Sequence, residues 1–277
     1  MKGWPYDTSS VDLTQFLIRK LENFAQLGEA EKLALEILGR DCKFHPGHVD
    51  IMFDGDSLES VILMLDGFAC RYKHLDDGRR QITGYLVPGD LCDPYVFMLR
   101  KIDYSVATLC PALIAKVPRS KLVKILDEYP RIARALWWSA LVDEGILREW
   151  VVSIGRRTAL ERTAHLICEL YHRLQAVGLA RNNRCEFPIT QQDLADSLGL
   201  SAVHVNRTLQ ELRSKKLIVQ RNHSLVMLDP EKLRDLALFK QSYLHMAEDE
   251  NNSRHESMTS RAKHAPPLSR MIDQKGG

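Results

Sequence analysis

The chain has 277 residues, enough to bury a core in one large domain or two ordinary ones, and its net charge of +2 is too mild to mark a nucleic-acid binder by composition alone. Its six cysteines (Cys42, Cys70, Cys92, Cys110, Cys168 and Cys185) are scattered, which excludes a dense disulfide framework and fits a reducing, cytosolic compartment. The N-terminal MKGWPYDTSS lacks the apolar segment of a secretory signal, and the best apolar run, Ala135 to Val142, is too short for a bilayer, so a soluble protein with no membrane partner is expected.

Residues 11 to 40 place Leu, Ile and Ala at three- and four-residue spacing among charges, the pattern of amphipathic helices. From about 43 to 118 glycines and Asp-Gly turns punctuate short β-favouring runs such as Val61–Leu65 and Gln81–Leu86, which predicts an antiparallel β-sandwich or roll. Pro130 suits the first turn of a helix, and residues 131 to 154 continue it with only Gly145 as an interior weakness. Leu136, Ala140, Asp143, Leu147, Trp150 and Ile154 step by four and three, a heptad-like seam. Ala135, Trp138, Val142 and Val152 add a second stripe, so the helix is expected to face its own domain on one side and a second copy on the other. A helix buried inside a monomer is the alternative. A further helix over 157–177 precedes the polar loop RNNRCEF, and two strands, Leu217–Arg221 and Leu225–Leu228, flank Asn222-His223-Ser224. Asp229-Pro230 opens a last helix over 230–244. The tail from 247 to 277 has almost no large apolar residues and is expected to be disordered.

The stretch TQQDLADSLGLSAVHVNRTLQELRSKKL, residues 190 to 217, carries the sharpest signals. Thr190 with Asp193 suits a helix N-terminus, Gly199 can take the positive φ that ends a helix, and Ser201 can cap the next. Val205, Leu209 and Leu212 form the inward face of that second helix, which leaves Ala202, Val203, Asn206, Arg207 and Gln210 outward. Between 201 and 221 the charges are Arg207, Arg213, Lys215, Lys216 and Arg221 against Glu211 alone, a local basic bias that suits phosphates. Arg and Asn near the start of a second helix can bond bidentately to guanine and adenine edges. An ordinary solvated helix pair is the competing explanation.

With these motifs in place, the chain resembles the CRP/FNR family of bacterial transcription regulators over about residues 20 to 240. The resemblance rests on ITQQDLADSLGLSAVHVNRTLQELRSKKLI, on the roll pieces FDGDSLESVILMLDGFACRY and DDGRRQITGYLVPGDL, and on the long helix between them. It implies an α+β chain: an antiparallel β-roll like a cyclic-nucleotide-binding domain with flanking helices (15–129), a dimerisation helix (130–155) and a winged helix-turn-helix (156–246). The implied partners are double-stranded promoter DNA, RNA polymerase and a second copy of the chain, with room for an unidentified small-molecule effector. Arg207 matches the family's guanine-reading arginine, while Thr190, Ser201 and His204 fall where the family contacts phosphate. Gln191 and Arg213 complete the expected DNA-binding set. Val203 stands where many members carry a glutamate; a valine cannot accept from a cytosine amine but can touch a thymine methyl, so a different half-site is expected, set by Val203 and Asn206.

The sensor positions depart from the family's nucleotide grip. Asp93-Pro94 stands where a Gly-Glu pair would hold a ribose, and Asp103-Tyr104-Ser105 stands near the arginine that would hold a cyclic phosphate, with Arg100 and Lys101 as upstream substitutes. No cysteine cluster is present for an iron–sulfur centre, and Cys70 with His74 is the conceivable haem pair. His165, Cys168, Glu169 and His172 share one helix face but come from a single element, so packing is expected in place of metal binding. Cys70, Cys92 and Cys110 are the candidates for redox sensing. No phosphate-binding loop, dinucleotide fingerprint, zinc-protease or nucleophile-elbow motif occurs, so neither an enzyme nor a cofactor is expected. The rival reading is a ligand-binding or interaction module whose helix-turn-helix does not read DNA.

Overall fold

The computed structural model describes residues 13–57, 59–94 and 101–246. Arg100 and the tail from 247 onward lie outside them. The chain opens with two amphipathic helices, α1 (Gln15–Glu22) and α2 (Glu29–Glu36). Eight strands follow: β1 (Cys42–His45), β2 (Asp50–Met52), β3 (Ser60–Asp66), β4 (Ala69–His74), β5 (Arg80–Leu86), β6 (Leu91–Cys92), β7 (Ser105–Thr108) and β8 (Ala112–Pro118). They form two antiparallel four-stranded sheets, ordered β1-β8-β3-β6 and β2-β7-β4-β5.

Strand β3 shows why the roll holds. Its run Val61-Ile62-Leu63-Met64-Leu65 is apolar without alternation because both faces are covered. Ile62 and Met64 join Ile51, Leu86, Val106 and Ile114 in a core drawn from both sheets. Val61, Leu63 and Leu65 point the other way and pack on α1, α2 and the next two helices. These are α3 (Arg119–Glu128), which the sequence reading did not single out, and α4 (Pro130–Arg156), a helix of 27 residues with Pro130 in its first turn.

Helix α4 corrects the expected seam. Leu136 is 1 % exposed inside the roll core and Trp150 is 7 % exposed against the following helix, so both belong to the chain's own interior. Asp143 is half-buried and pairs with Arg71 at 3.3 Å. The outward face keeps Ala140, Leu147 and Ile154 of that seam and exchanges the other three for their neighbours: Ala133, Trp137, Ala140, Glu144, Leu147, Val151 and Ile154 step by four and three. Trp137, Leu147, Val151 and Ile154 on this line are all exposed, as is neighbouring Leu141. Gly145 has a packing reason: a Cβ there would sit 3.0 Å from the Tyr243 carbonyl oxygen, so a side chain would press that turn away by a few tenths of an ångström.

Helix α5 (Ala159–Ala176) begins at a capping box in which Thr158 and Glu161 satisfy each other's backbone N–H groups. Next come β9 (Arg184–Glu186), α6 (Gln191–Leu198), α7 (Ala202–Ser214), β10 (Ile218–Arg221), β11 (Ser224–Met227) and α8 (Pro230–Ala237). The third sheet, β10-β11-β9, contains the two expected strands and one that the polar loop RNNRCEF had hidden. Asn222 and His223 both take positive φ, which gives a two-residue hairpin and leaves Ser224 in the strand. The last helix is shorter than expected. Leu238 turns left-handed (φ 50°) and ends α8 at Ala237, and a separate 3-10 turn covers Gln241–Leu244. Among the described residues no helix is long and apolar enough to cross a membrane.

Candidate nucleic-acid interface

Local chemistry builds α6 and α7 as two short helices joined by a tight turn. Thr190 Oγ1 accepts from the Asp193 N–H at 3.1 Å, and the Asp193 carboxylate takes the Thr190 N–H at 3.2 Å, so each end of the box holds the other. Gly199 ends α6 with φ 63°, a left-handed conformation that a side chain would strain. Ser201 Oγ then accepts from the His204 N–H at 3.2 Å and starts α7 two residues later. Val205, Leu209 and Leu212 are fully buried and seat α7 on the domain. Each cap contributes about 1 kcal/mol, and each buried leucine about 1.5–3 kcal/mol.

The opposite face of α7 is open. Val203 is 73 % exposed, and His204, Arg207, Gln210 and Arg213 are exposed on the same side, with Ala202 and Asn206 half-buried. Arg207 has no hydrogen-bond or ion-pair partner among the described residues, so its guanidinium is available to an outside acceptor. Asn206 is less free: its amide donates to Gln191 Oε1 at 3.1 Å and ties α7 to the start of α6. Arg213 reaches Gln220 on β10 at 3.5 Å. Thr190, Gln191 and Ser201 are exposed at the N-terminal ends of the two helices, where backbone N–H groups and the helix dipole favour anions. The candidate DNA-binding residues therefore lie on adjoining edges of the same helix pair. Sequence reasoning did not identify the Asn206–Gln191 contact, which local spacing could not signal.

In the roll, Arg71 on β4 donates to Asp93 at 2.8 Å and to Asp143 of α4 at 3.3 Å. Tyr104 donates to the same Asp93, and Cys92 is buried beside them. The one cation is thus already committed to two carboxylates, which leaves the set net negative, whereas a cyclic phosphate needs an unopposed cation; these described residues do not fit that ligand. Lys73, the other nearby cation on β4, pairs with Asp103 at 2.9 Å. Burial pushes the Cys70 thiol up to about 12 and the Cys110 thiol up to about 11, and it raises that of Cys92 as well. None of the three is a reactive thiolate at neutral pH, which argues against the redox candidates. Cys70 is buried whereas His74 is exposed at the end of the same strand, so the two do not present one site for an iron. His165 and His172 are aromatic packing partners of Phe239, and Glu169 accepts from Trp150.

Comparison with known proteins matches residues 42–129 to the cyclic nucleotide-binding domain and residues 161–236 to the Crp-like helix-turn-helix domain. The nitrogen fixation regulation protein FixK of Bradyrhizobium diazoefficiens is 29 % identical over 213 residues, 77 % of this chain and 88 % of that one. The transcriptional activatory protein AadR of Rhodopseudomonas palustris is 28 % identical over 226 residues, 81 % of this chain and 92 % of that one. The solved structure of FixK2 from Bradyrhizobium japonicum superposes with a TM-score of 0.62 at 26 % identity, covering 70 % of this chain and 96 % of that one.

Proposed function

The chain belongs to the CRP/FNR family of transcription regulators, and we propose that it acts as a homodimer on a palindromic promoter site. The observation that carries this reading is the exposed face of α7, where Arg207 has no partner among the described residues, on a helix whose other side is fully seated. In the proposed complex the α7 helices of two protomers enter successive major grooves, about one helical turn (~34 Å) apart. Arg207 bonds to a guanine edge, Val203 packs on a thymine methyl, and Thr190, Ser201 and His204 hold phosphates. The two protomers meet along the Trp137–Leu147–Val151–Ile154 line of α4, whose exposed apolar groups support this choice over the seam expected from spacing alone.

Relatives named as activators support a positive sign, with the promoter-bound dimer recruiting RNA polymerase in the cytoplasm. The Arg71–Asp93–Asp143 set supports a roll that is complete without a nucleotide effector. The test is anisotropy titration of a fluorescent palindromic duplex between 50 and 200 mM salt. Affinity is expected to fall steeply with salt, and Arg207→Ala to lose about 1–3 kcal/mol of preference for the specific site while keeping non-specific binding. Salt-insensitive binding, or an Arg207→Ala protein as selective as the parent, would favour an interaction module.

A further inference from the structure

Helix α6 carries polar residues on a face that is not exposed. Asp193 and Ser197 are 3 % and 1 % exposed, and Asp196 lies beside them one turn along. A buried carboxylate needs a cation, and this one comes from the roll. Arg80, the first residue of β5, donates through Nη2 to Asp193 at 2.6 Å and through Nε to Asp196 at 2.7 Å. Its guanidinium also lies 5.5 Å from the centre of the Tyr72 ring. Two residues of the same strand complete the contact. Gln81 donates to the Ser197 carbonyl at 3.3 Å, and Tyr85 Oη lies 3.0 Å from Ser197 Oγ and 3.2 Å from the Asp193 carbonyl.

Both carboxylates are engaged elsewhere as well. The second oxygen of Asp193 accepts from the Thr190 N–H and hydroxyl, and Asp196 accepts from Gln192 at 2.7 Å. Arg80 therefore grips the carboxylates that shape the N-terminal turn of α6, and that turn is bonded through Gln191 to Asn206 on α7. We propose that Arg80 is a positioning residue for DNA reading: by bridging Asp193 and Asp196 it fixes the helix-turn-helix on its own roll and so sets the orientation in which α7 meets the groove. This inference rests on the DNA-binding homodimer reading. Without Arg80 the buried carboxylate of Asp193 loses its cation, so α6 leaves the roll to hydrate it. The recognition helix then keeps its fold and its base contacts but loses its fixed place relative to the dimer partner.

Half-site spacing reads that place directly. The full-length protein, Arg80→Met, Arg80→Lys and Asp196→Asn are titrated against duplexes carrying two half-sites whose separation varies by one and two base pairs either side of the best, and against a single half-site. The parent is expected to prefer one separation by about tenfold, and Arg80→Met by twofold or less, with single half-site binding retained. Arg80→Lys recovers part of the preference, because an ammonium can hold one carboxylate but cannot bridge both. Asp196→Asn, which leaves Asp193 paired and strands no buried charge, falls between. Hydrogen exchange of the α6 amides is expected to quicken in Arg80→Met while the β3 amides stay protected. An unchanged spacing preference in Arg80→Met, or an equal loss at every spacing and on the single half-site, overturns the proposal. A parent protein that binds none of the duplexes overturns the DNA reading itself.

Discussion

At the scale of single residues, Glu169 shows how burial outweighs a neighbouring cation. Its side chain is 0 % exposed and accepts from Trp150 Nε1 at 3.0 Å and from the Tyr243 hydroxyl at 3.3 Å. The Arg173 guanidinium stands 3.7 Å from its other oxygen but lies closer to Asp90, at 2.7 Å. Desolvation therefore wins, and the Glu169 carboxyl is lifted from the ordinary 4.5 to about 7, whereas Lys20 and Arg173 together hold Asp90 low despite its burial. Because the folded state binds this proton more tightly than the unfolded chain does, ionising Glu169 costs stability progressively as pH rises from about 4.5 to about 7. Glu169→Gln stays neutral throughout, so it is expected to gain up to about 3 kcal/mol over the parent at pH 8 and nothing at pH 4.5. Urea unfolding at the two pH values decides the matter, and an equal gain at both would trace the effect to packing. His165, which burial lowers to about 3, loses stability in the opposite direction as pH falls below 6.5, but it is common to both proteins and cancels in the difference.

At the scale of elements, α4 separates what the sequence makes legible from what it does not. Two apolar stripes run along this helix, and periodicity alone cannot say which one the chain's own interior consumes; the roll core takes Ala135 and Leu136, α5 takes Trp150, and Trp137, Leu141 and Val151 are left outside. Leu141→Glu or Val151→Glu is expected to weaken the proposed dimer about 100-fold without unfolding the protomer, as read by sedimentation equilibrium and thermal melting. A dimer constant that does not move would place the interface elsewhere. The helix pair α6–α7 was legible because its signals are local: a hydroxyl and a carboxylate three apart, a glycine at the stop, a serine at the next start. The β-roll was legible from glycine-punctuated β-favouring runs. Strand β9 was not, since three residues with one buried side chain, Cys185, give no alternation to detect. The break at Leu238 was equally hidden, because a leucine in a left-handed conformation runs against propensity and leaves no sequence signal. Arg80 and Asp193, 113 residues apart, carry no periodic trace of each other.

At the scale of the whole molecule, the roll and the winged helix-turn-helix are joined by buried polar bonds as well as by chain continuity. Asp90, in the turn after β5, receives Lys20 from α1 and Arg173 from α5, each at 2.7 Å, and Arg173 also donates to the Tyr85 carbonyl at 2.9 Å. Arg19 closes the end of α5 by donating to the Val177 carbonyl at 3.1 Å. Together with Arg80 these bonds hold α6 and α7 in one place on their own protomer, while Arg71 of the roll is committed to Asp93 and to Asp143 of α4. The central claim that follows is a dimeric reader of DNA that needs no added effector. It is tested most directly by incubating the purified, ligand-free protein with random duplex DNA and sequencing the bound pool. The account predicts enrichment of an inverted repeat with half-sites about one helical turn apart. It further predicts a thymine at the base that Val203 touches and a guanine at the one that Arg207 reads. A pool with no inverted repeat, or one that acquires it only when a cyclic nucleotide is supplied, would contradict it.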